Sequence, residues 1–207
     1  MGYTAEDYAA LLARLRDSGD EKYRAFNESL MPGTAGTYGV RAPVLQKISR
    51  ELLAGDVQGF LAAARDTTHE ERLLQGLVIA GAACPLQEKL ALLRGFIPKI
   101  NNWAVCDMTA GACKWTEAQL EEVWNFFVPY LRSESEFEVR FAAVQLLDYF
   151  YGNNWIDRAL NAYRTVTHEG YYVTIALAWG LSVFFVKQRE KTLPLLEGRV
   201  FSPAVHN

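Results

Sequence analysis

Apolar and polar positions follow the three-to-four-residue period of amphipathic helices along most of this chain. Capping signals mark where several of these stretches begin. Thr4 stands before the first stretch, and two later threonines are followed three residues on by an acidic or amide side chain. These two capping boxes pair Thr68 with Glu71 and Thr116 with Gln119. Since no stretch shows a convincing two-residue β period, the pattern predicts an all-α protein of about eleven or twelve helices.

Short turns separate the predicted helices, which favours antiparallel packing of neighbours. A short helix, a turn and an apolar helix recur with a period of roughly 35 to 40 residues, as in HEAT-like repeats. We therefore expect residues 1–207 to form a single domain, a HEAT-like helical repeat solenoid (an alpha-alpha superhelix) with a concave face. The tail at 199–207 looks like the start of another helix, with Ser202 as N-cap and Pro203 in its first turn. The array is expected either to lack a final C-terminal helix or to end in coil.

Composition is that of a folded protein, with half of the 207 residues apolar and 13% aromatic. The formal net charge of −3 gives no overall support to nucleic-acid binding, although segregated charge could still leave one face basic. The cysteines Cys84, Cys106 and Cys113 lie in apolar helical contexts without a C-x-x-C pair, which indicates reduced, mostly buried thiols and a cytoplasmic protein. The ligand spacing predicts no metal site, and we expect a monomer without cofactor, membrane span or signal peptide.

Candidate chemistry is concentrated in the segment Asn101-Asn102-Trp103-Ala104-Val105-Cys106-Asp107. The indole of Trp103 and the carboxylate of Asp107 are four residues apart, so in a helix they share one face. A carboxylate beside an aromatic wall can stabilise a developing positive charge and activate a water molecule. Arg140 and Trp179 lie on two later predicted helices. These four residues predict one site on the concave face.

Each of these residues also has a structural interpretation. Trp103 taken alone is more often a core residue, and Asp107 could satisfy a backbone group or a neighbouring arginine. Arg140 lies close to several glutamates in the sequence and could form a surface ion pair. Tyr171 and Tyr172 could be packing aromatics. Their occurrence together favours a site.

Four segments that occur in order along the chain resemble the bacterial AlkD-type DNA alkylation repair family, over roughly residues 22–196. They are Tyr38-Gly39-Val40-Arg41-Ala42-Pro43-Val44-Leu45-Gln46-Lys47-Ile48, then Asn101 to Asp107, then Val139-Arg140-Phe141-Ala142-Ala143, and finally Tyr171-Tyr172-Val173 through Trp179-Gly180-Leu181.

The resemblance implies a HEAT-like solenoid that wraps duplex DNA. It also implies a DNA glycosylase acting in base excision repair on cationic N-alkylated purines such as 3-methyladenine and 7-methylguanine. The family's catalytic aspartate matches Asp107, its two site tryptophans match Trp103 and Trp179, and its site arginine matches Arg140. A pair of aromatics preceding the second tryptophan matches Tyr171 and Tyr172.

Further DNA contacts are predicted from basic residues. Arg41 and Lys47 flank a helix start led by Pro43, whose free N–H groups could also bind a phosphate. Lys187 belongs to a basic helix end that is either solvated or in contact with a phosphate. Two other functions stay open at this point: a non-catalytic DNA-binding paralogue that recognises distorted DNA, and a HEAT-like scaffold for protein interactions.

Overall fold

The computed structural model describes residues 2–32, 34 and 36–206. Within this part of the chain, 73% of the structure is helical, with thirteen α-helices and no strand. The all-α prediction is therefore confirmed, with slightly more helices than the periodicity indicated. In chain order the α-helices are α1 (Ala5–Asp17), α2 (Glu21–Leu30), α3 (Ala42–Leu53), α4 (Val57–Ala63), α5 (His69–Gly81), α6 (Leu86–Phe96), α7 (Trp103–Ala112), α8 (Leu120–Phe127), α9 (Glu136–Tyr149), α10 (Ile156–Arg164), α11 (Tyr171–Lys187), α12 (Arg189–Glu197) and α13 (Pro203–His206). Short 3₁₀ helices span Ile97–Lys99, Glu117–Gln119 and Val128–Arg132.

Side-chain caps begin several helices, as the sequence signals predict. A side-chain oxygen accepts the backbone N–H three residues on at the starts of α1, α2, α4, α5 and α7; the caps are Thr4, Asp20, Asp56, Thr68 and Asn102. Both predicted capping boxes form, the second one at the 3₁₀ turn before α8. The helix predicted after Ser202 is present as the four-residue α13.

Two compact units divide the chain, with the boundary between Lys114 and Trp115. In the first unit, α5 packs against α3 and α7 and also contacts α4 and α6, so residues 73–80 are all buried. In the second unit, α9 takes the central place: it packs against α11, α8 and the 3₁₀ turn at Val128–Arg132, and residues 139–147 are buried. The prediction that residues 1–207 form one domain stays a prediction.

Close packing of α5 on α7 depends on Gly76. A Cβ atom at this position would collide with the hydroxyl of Thr109 on α7 and with the ring of Phe96. The absence of a side chain therefore lets α7 approach α5 closely and sets the position of the α7 side chains.

The cysteine environments agree in part with the sequence prediction. None of the three cysteines forms a disulfide, and Cys106 and Cys113 are buried as predicted, whereas Cys84 is partly exposed. None of the helices in the described ranges is long and apolar enough to cross a lipid bilayer.

Candidate functional site

The first turn of α7 is built by the residue that precedes it. The side-chain oxygen of Asn102 accepts a hydrogen bond from the backbone N–H of Val105 at 2.9 Å, so the helix begins at Trp103. This N-cap satisfies a donor that the first turn would otherwise leave unpaired. Trp103 and Asp107 consequently stand one helical turn apart on the same side of α7.

Trp103 is half-buried, and its indole has a defined partner. Nε1 donates a hydrogen bond to the backbone carbonyl of Leu30, the last residue of α2, at 3.2 Å. The ring is therefore held by a tertiary contact while part of it stays accessible. A core tryptophan would be enclosed, so this placement differs from the structural interpretation given above.

Asp107 lines an open cleft of about 530 Å³ that crosses three helices of the first unit. Besides Asp107, the polar or small residues of its lining are Gln46, Ser49 and Arg50 of α3, Gly81 of α5, and Gly111 and Ala112 of α7. A Cβ at Gly81 would press on the side chain of Leu53, so the missing side chain lets α3 approach α5 at this wall of the cleft. Asp107 itself is half-buried and has a partner within the protein.

Arg50 is the residue of this cleft that sequence reasoning missed. It is exposed, and in the described part of the chain its side chain makes no hydrogen bond or ion pair. A cation and a carboxylate thus line one cleft, which suits a ligand that carries an anionic and a cationic group side by side. Only the packing of α3 against α5 and α7 shows that Arg50 lines the same cleft as Asp107.

Arg41 and Lys47 lie at the start and the middle of α3. The guanidinium of Arg41 forms an ion pair with Asp20 at 3.0 Å and stacks over the ring of Tyr23 at 4.7 Å from its centroid. Hydrogen bonds from the Tyr23 backbone N–H and from Arg41 hold the pKa of Asp20 below its usual value. Lys47 is exposed on α3.

A buried carboxylate fixes the segment that leads into Arg41. Glu70 on α5 is fully buried and accepts hydrogen bonds from the Thr37 hydroxyl at 2.7 Å and from the backbone N–H groups of residues 38, 39 and 40 at 3.0, 2.9 and 3.1 Å. Gly39 adopts a φ of 76°, and a Cβ there would press on the backbone of Asp20. This loop support was also absent from the sequence predictions.

In the second unit, α11 presents an exposed aromatic side. Tyr171 is 71% exposed and Trp179 is 41% exposed, and Ile175 between them is exposed as well. Their spacing of four residues places them along one side of the helix. The Tyr171 and Tyr172 rings meet edge to face with centroids 5.2 Å apart.

Arg140 has a different environment from the one expected for a surface ion pair. Only 4% of the residue is exposed, and Nη1 donates to the backbone carbonyl of Tyr172 at 2.7 Å. One turn earlier on α9, the carboxylate of Glu136 accepts the backbone N–H of Tyr172 at 2.6 Å. The surface interpretation is therefore wrong, and Arg140 supports the first turn of α11.

The sequence of most of the chain matches a known protein family. A model of the DNA alkylation repair enzyme family matches residues 11–192, which include every candidate residue named above. The chain belongs to the DNA alkylation repair enzyme family. This confirms the family assignment that was made from the four segments. No curated protein and no solved structure matches the chain significantly.

Several basic side chains in this DNA alkylation repair family member are buried or paired within the protein. Arg140 is buried, Arg41 is paired with Asp20, and Lys191, four residues after Lys187, is paired with Asp157 at 2.8 Å. Lys187 is exposed, with Nζ 5.4 Å from the centroid of the Tyr151 ring. Among these predicted cations, Lys47 and Lys187 remain available at the surface, and Arg50 adds to them.

The predicted site residues fall into two groups. Trp103 and Asp107 share α7, in the unit that also carries Arg41, Lys47 and Arg50. Arg140, Tyr171, Tyr172, Trp179 and Lys187 belong to the second unit. Convergence of the two groups on one concave face stays a prediction. Over the ranges that the structure describes, no group of three or more His, Cys, Asp or Glu side chains could hold a metal ion.

Proposed function

We propose that this protein is a DNA glycosylase that excises cationic N-alkylated purines, such as 3-methyladenine and 7-methylguanine, from duplex DNA in base excision repair. The observation that carries the proposal is the cleft in which Asp107 and Arg50 both line the wall, with Trp103 one turn before the aspartate. Membership in the DNA alkylation repair family supports a repair role. The proposal includes a HEAT-like array that acts as a cytoplasmic monomer without metal or cofactor.

The reaction requires a carboxylate that stabilises positive charge, and it does not require an acid that protonates the leaving base. Alkylation leaves a positive charge on the purine, so the bond between the base and C1′ breaks with its electron pair passing to the base, which departs neutral. The sugar is left with oxocarbenium character, as in other glycosidic cleavages. Asp107 would stabilise that cation and orient a water molecule, whose oxygen bonds to C1′ and whose proton is released.

Arg50 gives the cleft a means of holding the DNA backbone. A carboxylate alone would repel the phosphates that flank the damaged nucleotide. The planar guanidinium of arginine binds phosphate oxygens through two parallel hydrogen bonds. Arg50 therefore offsets the repulsion and brings the sugar close to Asp107, while the indole of Trp103 faces the developing positive charge.

The second unit offers its own DNA-contacting surface. Tyr171 and Trp179 expose aromatic faces along α11, and Lys187 stands at the end of the same helix. Exposed aromatics with a nearby cation suit contacts to bases, sugars and phosphates. We assign Arg140 a phosphate contact only if the first turn of α11 rearranges on binding, since the residue is buried in the present arrangement.

Single-turnover excision tests the proposal directly. The purified protein is mixed in excess with a duplex that carries one 7-methylguanine, and released base is measured together with alkali-sensitive strand breaks. An undamaged duplex of the same sequence is the control. Release from the damaged duplex alone is expected. If binding is measured but no base is released, the chain is instead a non-catalytic DNA-binding paralogue.

Salt dependence of binding tests the role of Arg50 in the same preparation. Each neutralised phosphate contributes about −0.9 to the slope of log affinity against log salt concentration. Arg50→Gln should therefore make the slope shallower by about 0.9. The ion-paired Arg14 provides the matched control, because Arg14→Gln removes a charge that Glu51 already balances. An unchanged slope in Arg50→Gln would contradict a phosphate contact.

A further inference from the structure

The N-terminus of α5 carries a group of buried polar side chains that the proposed chemistry does not use. Thr68, His69, Glu70 and Glu71 are consecutive and all are buried. Glu70 holds the loop before α3, and Glu71 accepts a hydrogen bond from the Tyr8 hydroxyl at 2.6 Å. His69 faces a different neighbour, the residue that caps α7.

Hydrogen-bond directions around Asn102 are fixed by a backbone group. The Val105 N–H can only donate, so the side-chain atom that receives it must be the oxygen of Asn102. The amide nitrogen then faces Nδ1 of His69 at 3.3 Å. Nδ1 must therefore accept, which requires the neutral imidazole with its proton on Nε2.

The pair of His69 and Asn102 lies directly beside the candidate site residues of α7. Asn102 is covalently followed by Trp103, and its backbone carbonyl accepts the N–H of Cys106 at 3.1 Å. His69 is tied to the other side, because its own backbone N–H donates to the carbonyl of Gly36 at 2.8 Å. His69 is 3% exposed and Asn102 is 1% exposed, so water cannot easily replace a lost bond between them.

We propose that His69 is a positioning residue: by accepting the Asn102 amide it holds the first turn of α7 and thereby the orientation of Trp103 and Asp107. The inference rests on the proposed function only for its activity readout. His69 does not line the cleft, and it acts through Asn102.

Acid should disrupt this arrangement. Protonation turns Nδ1 into a donor that faces the donor nitrogen of Asn102. Burial lowers the pKa of His69 below its ordinary value of 6.5, Glu70 opposes that shift, and Arg72 adds to it. These two charged neighbours lie on α5 itself. The segment that leads into α7 presents the neutral amides of Asn101 and Asn102, and the loop before α3 contributes the carbonyl of Gly36. The orientation of α7 should therefore be lost as the pH falls through the lowered pKa of His69.

Two substitutions separate hydrogen bonding from titration. His69→Asn places an amide oxygen near the position of Nδ1, so it keeps an acceptor that does not titrate. His69→Leu removes the acceptor. Single-turnover excision is followed between about pH 5 and 8. We expect the wild-type rate to fall in acid, His69→Asn to keep a near-wild-type rate with a flatter profile, and His69→Leu to lose roughly threefold to tenfold at neutral pH.

A readout that does not depend on excision comes from the Trp103 indole. Its N–H resonance in ¹⁵N-labelled protein is assigned by its disappearance in Trp103→Phe. In the wild type this resonance should shift as His69 titrates, and in His69→Asn it should not. An identical pH course in wild type and His69→Asn would overturn the proposal.

Asn102→Asp should change the titration of His69 in the opposite direction, towards higher pH. It keeps the oxygen that caps α7 but replaces the donor towards His69 by a carboxylate, which favours the protonated ring. The midpoint of the Trp103 shift should move to higher pH, and an unmoved midpoint would count against the pair. If His69→Leu does not fold, wild type, His69→Asn and Asn102→Asp carry the test alone. Absence of excision by the wild type would refute the glycosylase proposal, whereas the indole titrations decide the role of His69.

Discussion

The first turns of α7 and α11 are both held in place by side chains, but the side chains differ in charge. Each turn carries candidate site aromatics, and each is held by side chains from the central helix of its own unit. At α7 the supports are neutral: Asn102 caps the helix and His69 on α5 accepts its amide. At α11 the preceding residue is Gly170, which has no side chain, and Glu136 and Arg140 on α9 bond to the backbone of Tyr172.

Because of this difference, we expect the two helix starts to respond differently to pH and to mutation. A neutral acceptor such as His69 fails when it gains a proton, so the α7 support responds to pH. A buried guanidinium cannot lose its charge near neutral pH, so the bond from Arg140 to α11 is lost only when the side chain is removed. The regions also differ in what they offer a ligand: α7 places a carboxylate in a cleft, and α11 exposes aromatic surface. We expect changes in α7 to affect the chemical step and changes in α11 to affect binding and stability.

The largest expected effect is that of Asp107→Asn on excision. The substitution keeps the shape and removes the charge that would stabilise the oxocarbenium-like sugar. A loss of about 2 to 3 kcal/mol of transition-state stabilisation corresponds to roughly a 30-fold to 150-fold slower single-turnover rate. DNA affinity, measured separately by fluorescence anisotropy, should change little, because the carboxylate acts mainly in the transition state.

Glu88→Gln supplies the control for this experiment, since it removes an exposed carboxylate from α6. Its excision rate and affinity should both match those of the wild type. An excision rate in Asp107→Asn equal to the wild-type rate would remove Asp107 from the mechanism and with it the division of roles between α7 and α11.

Arg140→Ala should have the next largest effect, on the stability of the second unit. The Tyr172 carbonyl would lose its buried, charged donor, and a hydrogen bond from a charged group contributes about 1.5 to 3 kcal/mol. Urea denaturation should show a lower free energy of unfolding, and DNA affinity should fall because Tyr171 and Tyr172 lose their support. Arg14→Ala, which breaks an exposed ion pair with Glu51, should cost much less. Equal losses in the two variants would contradict a structural role for Arg140.

Helix starts could be predicted from the sequence because capping is a local interaction. Thr68 and Glu71 are three residues apart, and the bonds that they exchange need no partner from elsewhere in the chain. The pairing of Trp103 with Asp107 on one side of α7 was predictable for the same reason, since helical periodicity alone determines it. The family segments added roles to these positions, which geometry by itself does not supply.

Supports that join distant segments could not be predicted in this way. His69 and Asn102 are 33 residues apart, and nothing in either local pattern indicates that they meet. Arg140 follows Glu136 and Glu138 on α9, a pattern typical of an exposed helix face, but α9 is the buried centre of its unit and Arg140 is buried with it. The position of Arg50 in the same cleft as Asp107 depends on how α3, α5 and α7 pack, which the local sequence does not determine.

Trp179→Ala tests whether the exposed side of α11 contacts DNA. A cation or sugar against the indole contributes about 0.5 to 2 kcal/mol, so affinity for the damaged duplex should fall roughly twofold to thirtyfold. Ile175→Ala is the matched control, because it truncates an exposed apolar residue one turn earlier on the same side. If both variants bind as tightly as the wild type, α11 does not face the DNA and its exposed aromatics need another explanation.

The smallest expected effect is the pH dependence of stability, and it compares the two first turns most directly. Because the folded-state pKa of His69 is lowered, the unfolded chain binds more protons below pH 6.5, and stability is lost as pH falls through that range. The loss amounts to about 1.4 kcal/mol for each unit by which the pKa is lowered. This loss of stability occurs at higher pH than the loss due to Asp20 and Asp56. The pKa values of these two carboxyls are lowered from 3.8, so their contribution to stability is lost only as the pH falls below 3.8.

Subtracting the urea midpoints of His69→Asn from those of the wild type at each pH isolates this contribution. The difference should grow from pH 7 towards pH 5 as the wild type loses the Asn102 bond. The second unit provides the matched histidine: Nδ1 of His168 accepts the backbone N–H of Gly170 at 2.9 Å, just before α11. His168 is partly exposed, so water can replace its bond, and His168→Asn should lower the urea midpoint at pH 7 less than His69→Leu does. Equal losses in these two variants would show that burial does not distinguish the two helix starts.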